Sequence, residues 1–239
     1  MVSKNRLKLI KSLHQKKYRN QHRLFFVEGK KMVDELVQAG MRPFELLVTE
    51  AQQEFFSHPE QLSIPDKALE KISALRNPNG VLGVFHMPET RPPDTKGWLL
   101  VLDGVRDPGN LGTIIRLCDW FGVGTLICSE DTADVYNPKV LQATMGSFAR
   151  VNVVYSDLLP FLDQYDGPIY GTFMEGNSIY KARFPEKGVL IMGNEGSGIS
   201  TEVTQRITEK IGIPSHGDSL AESLNVANAT AICLSELRR

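Results

Sequence analysis

Toward the C-terminal end of the chain, two short apolar runs, Val189 to Met192 and Ile211 to Ile213, each break into a loop of Gly, Asn, Glu and Ser. The loops read MGNEGSGIS over 192–200 and IGIPSHGDSLAESLNVANA over 211–229. Short apolar runs bounded by turn residues are the pattern of buried strands, so the two loops are expected side by side at one sheet edge. Gly193, Gly196 and Gly198 remove side chains where main-chain groups could approach a flat, hydrogen-bonding ligand such as an adenine or a ribose. A Gly-rich loop leading to a helix capped by Ser200 is also an ordinary strand-to-helix connection. Neither loop is a dinucleotide fingerprint, since Gly196-Ser197-Gly198 lacks the third glycine and the acidic partner, and no Walker A motif occurs.

The bulk properties suit a globular chain. Its 239 residues are 41% hydrophobic and 23% charged, enough for one large domain or two small ones. No apolar stretch has the length of a membrane span and the N-terminus has no apolar signal core, so a cytoplasmic protein without a membrane partner is expected. Cys118, Cys128 and Cys233 are odd in number, far apart and in apolar contexts, which argues for buried thiols rather than disulfides or a zinc site. The net charge of −1 hides an asymmetry, because residues 1–31 hold ten Lys or Arg and one acid, Glu28. With Tyr18, Phe25, His14 and His22 nearby, this cluster suits a phosphate backbone, although a solvated basic helix face would look the same. Six such cations on phosphates would give log K against log salt a slope of about −4 for a single strand.

Pro88 to Gly97, with three prolines and several charges, is the clearest linker. It divides the chain into an N-terminal domain (1–88), a linker (89–97) and a C-terminal domain (98–239). Before it, a basic helix over about 3–18, strand Leu24 to Val27, helix 30–39, strand Phe44 to Thr49, helix 66–75 and strand Val81 to His86 read as a small α/β unit. After it, strands are predicted at Trp98 to Leu102, Thr125 to Cys128, Val151 to Val154, Ile169 to Phe173, Val189 to Met192 and Ile211 to Ile213. Helix-length segments separate them, which argues for a parallel sheet covered on both faces.

A third polar constellation follows the first of these strands, in LDGVRDPGNLGTIIRLCDWFG over 102–122. Asp107 to Asn110 reads as a turn, Asn110 as an N-cap, and a helix is predicted from about Leu111. At about 100° per residue Leu111, Ile114, Ile115, Cys118 and Phe121 share one face, while Arg116 points nearly opposite. Taken alone, Arg116 reads as a solvated side chain paired with Asp119. Ligands of α/β domains bind outside the carboxyl ends of the strands, where this helix start would meet the other two loops.

Together NLGTIIRLCDWFG, MGNEGSGIS and IPSHGDSLAESLNVANA resemble the three motifs of the SpoU/TrmH family of RNA ribose 2′-O-methyltransferases, in the SPOUT class. The resemblance covers residues 98–239, and residues 1–88 are similar in layout to the substrate-binding domain that many members carry. It implies an α/β fold in which a parallel-sheet domain with a deep trefoil knot follows a small α/β RNA-binding domain. It also implies S-adenosylmethionine as methyl donor, a homodimer, and RNA as substrate, ribosomal rather than transfer RNA. By position, Asn110, Arg116, Glu195, Ser223 and Asn225 carry the chemistry, and Thr172, Gly193, Asn194, Gly196, Ile213 and Leu224 hold the cofactor. One departure is visible at Asn228, where the family often has an aliphatic residue.

Methyl transfer from a sulfonium is an in-line displacement whose carrier supplies the electrophile, so no metal is required. A guanidinium is a poor base. Arg116 is therefore expected to grip a phosphate or the developing alkoxide, held by Glu195 and Asn110, while a phosphate oxygen or water takes the proton. The helix over about 224–237 is apolar on most of its circumference and must be covered, by a second copy or by the core. Asp218 and Glu222 read as solvated loop charges. Two other classes stay open: a non-catalytic RNA-binding protein on the same fold, and a nucleotide-binding enzyme on a doubly wound sheet.

Overall fold

The computed structural model describes residues 2–54, 56, 58–217 and 223–239. They form two compact units: Met1–Glu89 with Asp134–Ala149, and Thr90–Ala133 with Arg150–Arg239.

In the first unit, helices α1 (Lys4–Ser12) and α2 (Lys16–His22) precede strand β1 (Leu24–Glu28), helix α3 (Lys30–Gln38) and strand β2 (Pro43–Val48). Strand β3 (Gln61–Ser63), helix α4 (Asp66–Glu70) and strand β4 (Val81–His86) follow. The sheet order is β1-β4-β2-β3, with β4 antiparallel to both neighbours and β3 parallel to β2. Its core gathers Ile10, Leu13, Phe26, Leu47, Ile72 and Leu82. The single basic helix expected over 3–18 is broken at Leu13 to Gln15. There the buried Arg19 guanidinium donates to the carbonyls of Leu13 and His14 at 2.8 and 2.9 Å, satisfying groups that a helix end leaves bare. Arg19 also pairs with Asp134.

Residues 134–149, which the linker-based boundaries leave in the C-terminal domain, belong to this first unit and include helix α6 (Pro138–Thr144). Tyr136 and Phe148 each lie against Phe25, at 5.1 and 5.6 Å between ring centroids, the tilted and edge-on geometry that aromatic pairs prefer.

The second unit is built on strands β5 (Trp98–Asp103), β6 (Thr125–Cys128), β7 (Asn152–Tyr155), β8 (Ile169–Ser178), β9 (Gly188–Gly193) and β10 (Glu209–Gly212). All pair in parallel, in the order β10-β8-β9-β5-β6-β7. Helices α5 (Pro108–Trp120), α7 (Leu158–Gln164), α8 (Thr201–Thr204) and α9 (Val226–Leu237) complete it. β5 and β9 are fully buried except at their last residues, as expected for central strands of a parallel sheet. β9 and β10 are not neighbours, because β8 lies between them; their loops are brought together by side chains instead. The register of β10 on β8 jumps from Lys210↔Gly171 to Ile211↔Asn177, so residues 172–176 leave the ladder beside the end of β10. The two main chains then run so close that a Cβ on Gly212 would sit 2.6 Å from the Phe173 carbonyl oxygen, and one on Gly176 2.3 Å from the Ile211 carbonyl carbon.

Candidate active site

The cap of α5 is Asp107, not Asn110: the Asp107 carboxylate accepts from the Asn110 N–H at 2.8 Å, with Pro108 in the first turn. Pro at the first helical position favours this start. Asn110 is thereby moved inside the first turn and its side chain is freed for other partners.

Those partners are the two other polar loops. Asn110 Nδ2 donates to Glu195 Oε1 at 2.7 Å, and Asn225 Nδ2 donates to Asn110 Oδ1 at 2.9 Å. Asn225 in turn caps α9, its Oδ1 accepting from the N–H groups of Ala227 and Asn228 at 2.9 and 3.3 Å. A carboxylate at one end can only accept and backbone N–H groups at the other can only donate, so both amides have a single consistent orientation. Three segments that close strands β5, β9 and β10 are thus joined in one directional chain at the carboxyl edge of the sheet, where α/β domains bind ligands.

The loop carrying Glu195 is a tight turn. Asn194 and Gly198 exchange two backbone bonds of 2.9 Å, and Gly198 has φ +71. Asn194 holds it from within: its Oδ1 accepts from the N–H groups of Gly196 and Ser197 at 2.9 and 3.1 Å, and its Nδ2 donates to the Gly104 carbonyl at 2.7 Å. A Cβ on Gly193 would fall 2.3 Å from the Gly198 carbonyl carbon. Beyond the turn, the Asp103 carboxylate at the end of β5 accepts from the Ser200 N–H at 2.7 Å.

A cavity of about 360 Å³ opens between the 172–174 excursion, the end of β10 and α9, and Thr172, Ile213, Ser223 and Leu224 line it. That volume is in the range of small-molecule sites. Of the six residues expected around the cofactor, Thr172, Ile213 and Leu224 are here, whereas Gly193, Asn194 and Gly196 are not. Those three build the Glu195 turn, and the Gly196 N–H is spent on Asn194. The Thr172 hydroxyl is itself donated to the Ile191 carbonyl at 3.1 Å, so Thr172 offers main chain and methyl. Sequence reasoning missed Phe173, Met174, His216 and Cys233 on the wall. Phe173 and Met174 follow Thr172 directly, and the strand predicted to end at Phe173 hid the excursion. Burial pushes the Cys233 thiol up to about 12.

Arg116 does not join the chain of amides. It is exposed and has no hydrogen bond or ion pair among the described residues. Six residues past Asn110 it lies about 9 Å along the helix and about 240° round it. Nor does it pair with Asp119, which takes the guanidinium of Arg150 through Nε and Nη2, at 3.0 and 2.8 Å to Oδ2. Asp218 and Glu222 lie outside the described residues. Among the described residues no three His, Cys, Asp or Glu are grouped to hold a metal ion, and no helix is long and apolar enough to cross a membrane.

Both units are similar to known proteins. Residues 97–235 match the model of the SpoU rRNA Methylase family, and residues 4–83 that of the MRM3-like substrate binding domain. The chain is 32% identical over 236 residues to the 23S rRNA (guanosine(2553)-2′-O)-methyltransferase RlmP of Bacillus subtilis, covering 95% of this chain and 94% of that one. A TrmH-family structure from Porphyromonas gingivalis is 41% identical with a TM-score of 0.91, covering 100% of this chain and 98% of that one. The AdoMet-bound rRNA methyltransferase from Sinorhizobium meliloti is 30% identical with a TM-score of 0.87, covering 100% of this chain and 96% of that one. With more than half its length on the family model and its three polar loops joined through Asn110, the chain belongs to the SpoU rRNA methylase family.

Proposed function

We propose that this protein transfers the methyl group of S-adenosylmethionine to a ribose 2′-hydroxyl of ribosomal RNA in the cytoplasm. The observation that carries the reading is the Glu195–Asn110–Asn225 chain, which ends two residues from Ser223 on the cavity wall. The cavity fits the cofactor in kind: main chain at the ends of two parallel strands would hold the adenosyl group, and Phe173, Met174 and Leu224 would supply apolar surface to it. Bound there, S-adenosylmethionine supplies a methyl group made electrophilic by its sulfonium.

The protein's own residues then have three tasks. Thr172, Ile213 and Leu224 hold the donor, and the Asn194-centred turn holds Glu195 in place. Ser223 and the Asn110–Asn225 pair fix the loop against which the ribose is aligned; such alignment supplies up to about 7–11 kcal/mol of a barrier. Arg116, unpaired and forked, grips a phosphate next to the target ribose. The ribose hydroxyl proton would pass to a phosphate oxygen or water, because the Arg116 guanidinium is a poor base. The C-terminal segment forms the deep trefoil knot of the family, a reading supported by the close passage of Gly212 past Phe173 and Gly176. The protein works as a homodimer, supported by Trp120, which is 83% exposed at the end of α5; a monomer by light scattering at micromolar concentration would remove that element.

The test is incubation of the purified chain with S-adenosylmethionine and, in parallel, unmodified 23S rRNA and transfer RNA, followed by nucleoside mass spectrometry. A 2′-O-methylated nucleoside in ribosomal RNA alone is the expected result. Modified transfer RNA would reassign the substrate, and cofactor binding without methylation of either would point to an RNA-binding platform.

A further inference from the structure

A second cavity, of about 210 Å³, lies wholly within the first unit, where the start of α3 meets the end of α6. None of the three methyltransferase motifs reaches it. Its volume is below the roughly 300–1,000 Å³ of sites for drug-sized ligands, so it suits one flat heterocycle rather than a whole nucleotide.

Its lining is chemically selective. Asn79 and Gln142 line it, and neither side-chain amide has a hydrogen-bond partner among the described residues. Each amide offers donors and an acceptor side by side, the complement that Asn and Gln use bidentately on the N6/N7 edge of adenine. Met32 and Met145 supply polarisable thioethers, which make favourable contacts with aromatic rings. Met145 ends α6 at φ +51 and is 43% exposed, a left-handed position where Gly or Asn is usual. Gly29 has φ +97, and a Cβ there would lie 2.9 Å from Asn79 Nδ2, so glycine lets the Asn79 amide lie against the start of α3.

One cation at the rim is left without an acidic partner among the described residues. Glu28 also borders the cavity, but its carboxylate accepts from the Ser73 hydroxyl and from the Ala74 N–H. Lys30 is taken by Asp34 at 2.7 Å, whereas Lys31 is exposed and has no acidic partner among the described residues. A base-sized pocket with free amides, thioether walls and one free ammonium at its rim matches a base attached to a phosphate backbone. We propose that this cavity receives a single unpaired nucleobase of the RNA substrate, adenine by its amide complement, with Lys31 on an adjoining phosphate. The assignment rests on the reading of RNA as substrate.

The experiment is fluorescence anisotropy of the full chain with labelled 12-mers: oligoadenylate, oligouridylate and an abasic ribose-phosphate strand, each over a range of salt. Oligoadenylate is expected to bind about tenfold more tightly than the abasic strand, in keeping with one bidentate base contact. The double variant Asn79→Ala, Gln142→Ala should lose that preference while keeping its affinity for the abasic strand, its salt slope and its thermal midpoint. Lys31→Gln should keep the preference and lower the slope by about 0.7. Equal binding of abasic and adenylate strands by the wild type, a preference surviving in the double variant, or no binding of any 12-mer would overturn the proposal. The readout needs no turnover. If 23S rRNA is still methylated, the base pocket alone is wrong; if methylation is also absent, the RNA reading itself fails.

Discussion

Asn225 donates its side-chain amide to Asn110 across 115 positions of sequence, at 2.9 Å, while its carbonyl oxygen caps α9. The two duties are separable by substitution. Asp at 225 keeps a capping acceptor but has no N–H for Asn110, so Asn225→Asp should retain the wild-type thermal midpoint and lose turnover by about 100-fold, the scale of an oriented catalytic hydrogen bond. Asn225→Ala removes both, and the lost cap should lower stability by about 1 kcal/mol, about 2–4 °C for a chain of this size. Calorimetry beside a methylation assay distinguishes them; equal melting losses in both variants would mean that the cap is not made by this side chain.

Arg116 lies outside the cavity proposed for the cofactor and has no partner among the described residues, so its removal should leave cofactor binding alone. Titration calorimetry with S-adenosylmethionine is expected to give the same affinity for wild type and Arg116→Ala, with turnover on RNA lowered by about 100-fold or more. Lysine would keep the charge and lose the fork. Near-full activity in Arg116→Lys would refute the bidentate role.

Of the ten cations in residues 1–31, Arg6, Arg19 and Lys30 are paired with Glu45, Asp134 and Asp34. The other seven have no acidic partner among the described residues. On α1, Lys4, Lys8 and Lys11 share the outer face opposite Ile10, a spacing of four and three residues that keeps side chains aligned. If all seven meet phosphates, the salt slope for single-stranded RNA steepens from the about −4 expected for six to about −5. Replacing Lys4, Lys8 and Lys11 with Gln should flatten it by about 2. An unchanged slope would leave α1 a solvated basic face.

What was legible in the chain follows from how local each signal is. Apolar runs bounded by turn residues located all six strands of the parallel sheet, and the angular position of Arg116 already placed it outside the core. The cap of α5 was assigned to Asn110 although Pro108 marks the start three residues after Val105, because two Asx residues competed for one role. The buried Arg19 that caps the end of α1 is anchored by Asp134, 115 positions away, and the attachment of 134–149 depends on Phe25, Tyr136 and Phe148. Contacts between residues more than 100 positions apart leave no periodicity to read. The Gly193–Gly198 loop was visible as a close main-chain approach, but local sequence does not say whether the approaching group is a ligand or, as found, the loop's own backbone.

Three thiols bear on behaviour at high pH. Cys118, Cys128 and Cys233 are buried and free, and burial raises each above the ordinary thiol range, Cys233 to about 12. An acid whose pKa is higher in the folded than in the unfolded state stabilises the fold fully below its unfolded value and progressively less above it. Their contribution should therefore be constant up to about pH 8.5 and fall as pH rises beyond it. Thermal midpoints of Cys118→Ala and Cys128→Ala should decline less steeply over that alkaline range than the wild type, from a lower starting point because the cavity left by truncation costs stability at every pH. Parallel curves would show that other groups dominate the alkaline loss.

The Glu195 loop supplies the sharpest contrast between neighbouring glycines. A Cβ on Gly193 would meet the main chain of Gly198 and Ile199 at 2.3 and 2.4 Å, whereas one on Gly196 meets nothing nearer than Asn194 Oδ1 at 3.5 Å. Backbone cannot swing aside as a side chain can, so Gly193→Ala must open the turn and carry Glu195 away from Asn110. Gly196→Ala leaves the turn intact. Gly193→Ala should therefore lose methylation and part of its stability together, while Gly196→Ala keeps its thermal midpoint. If Gly196→Ala then binds S-adenosylmethionine as the wild type does, the glycine serves the turn; if its cofactor affinity falls with stability unchanged, the Gly196 main chain is also a cofactor contact, and the pocket extends from the wall at Leu224 to the Glu195 turn.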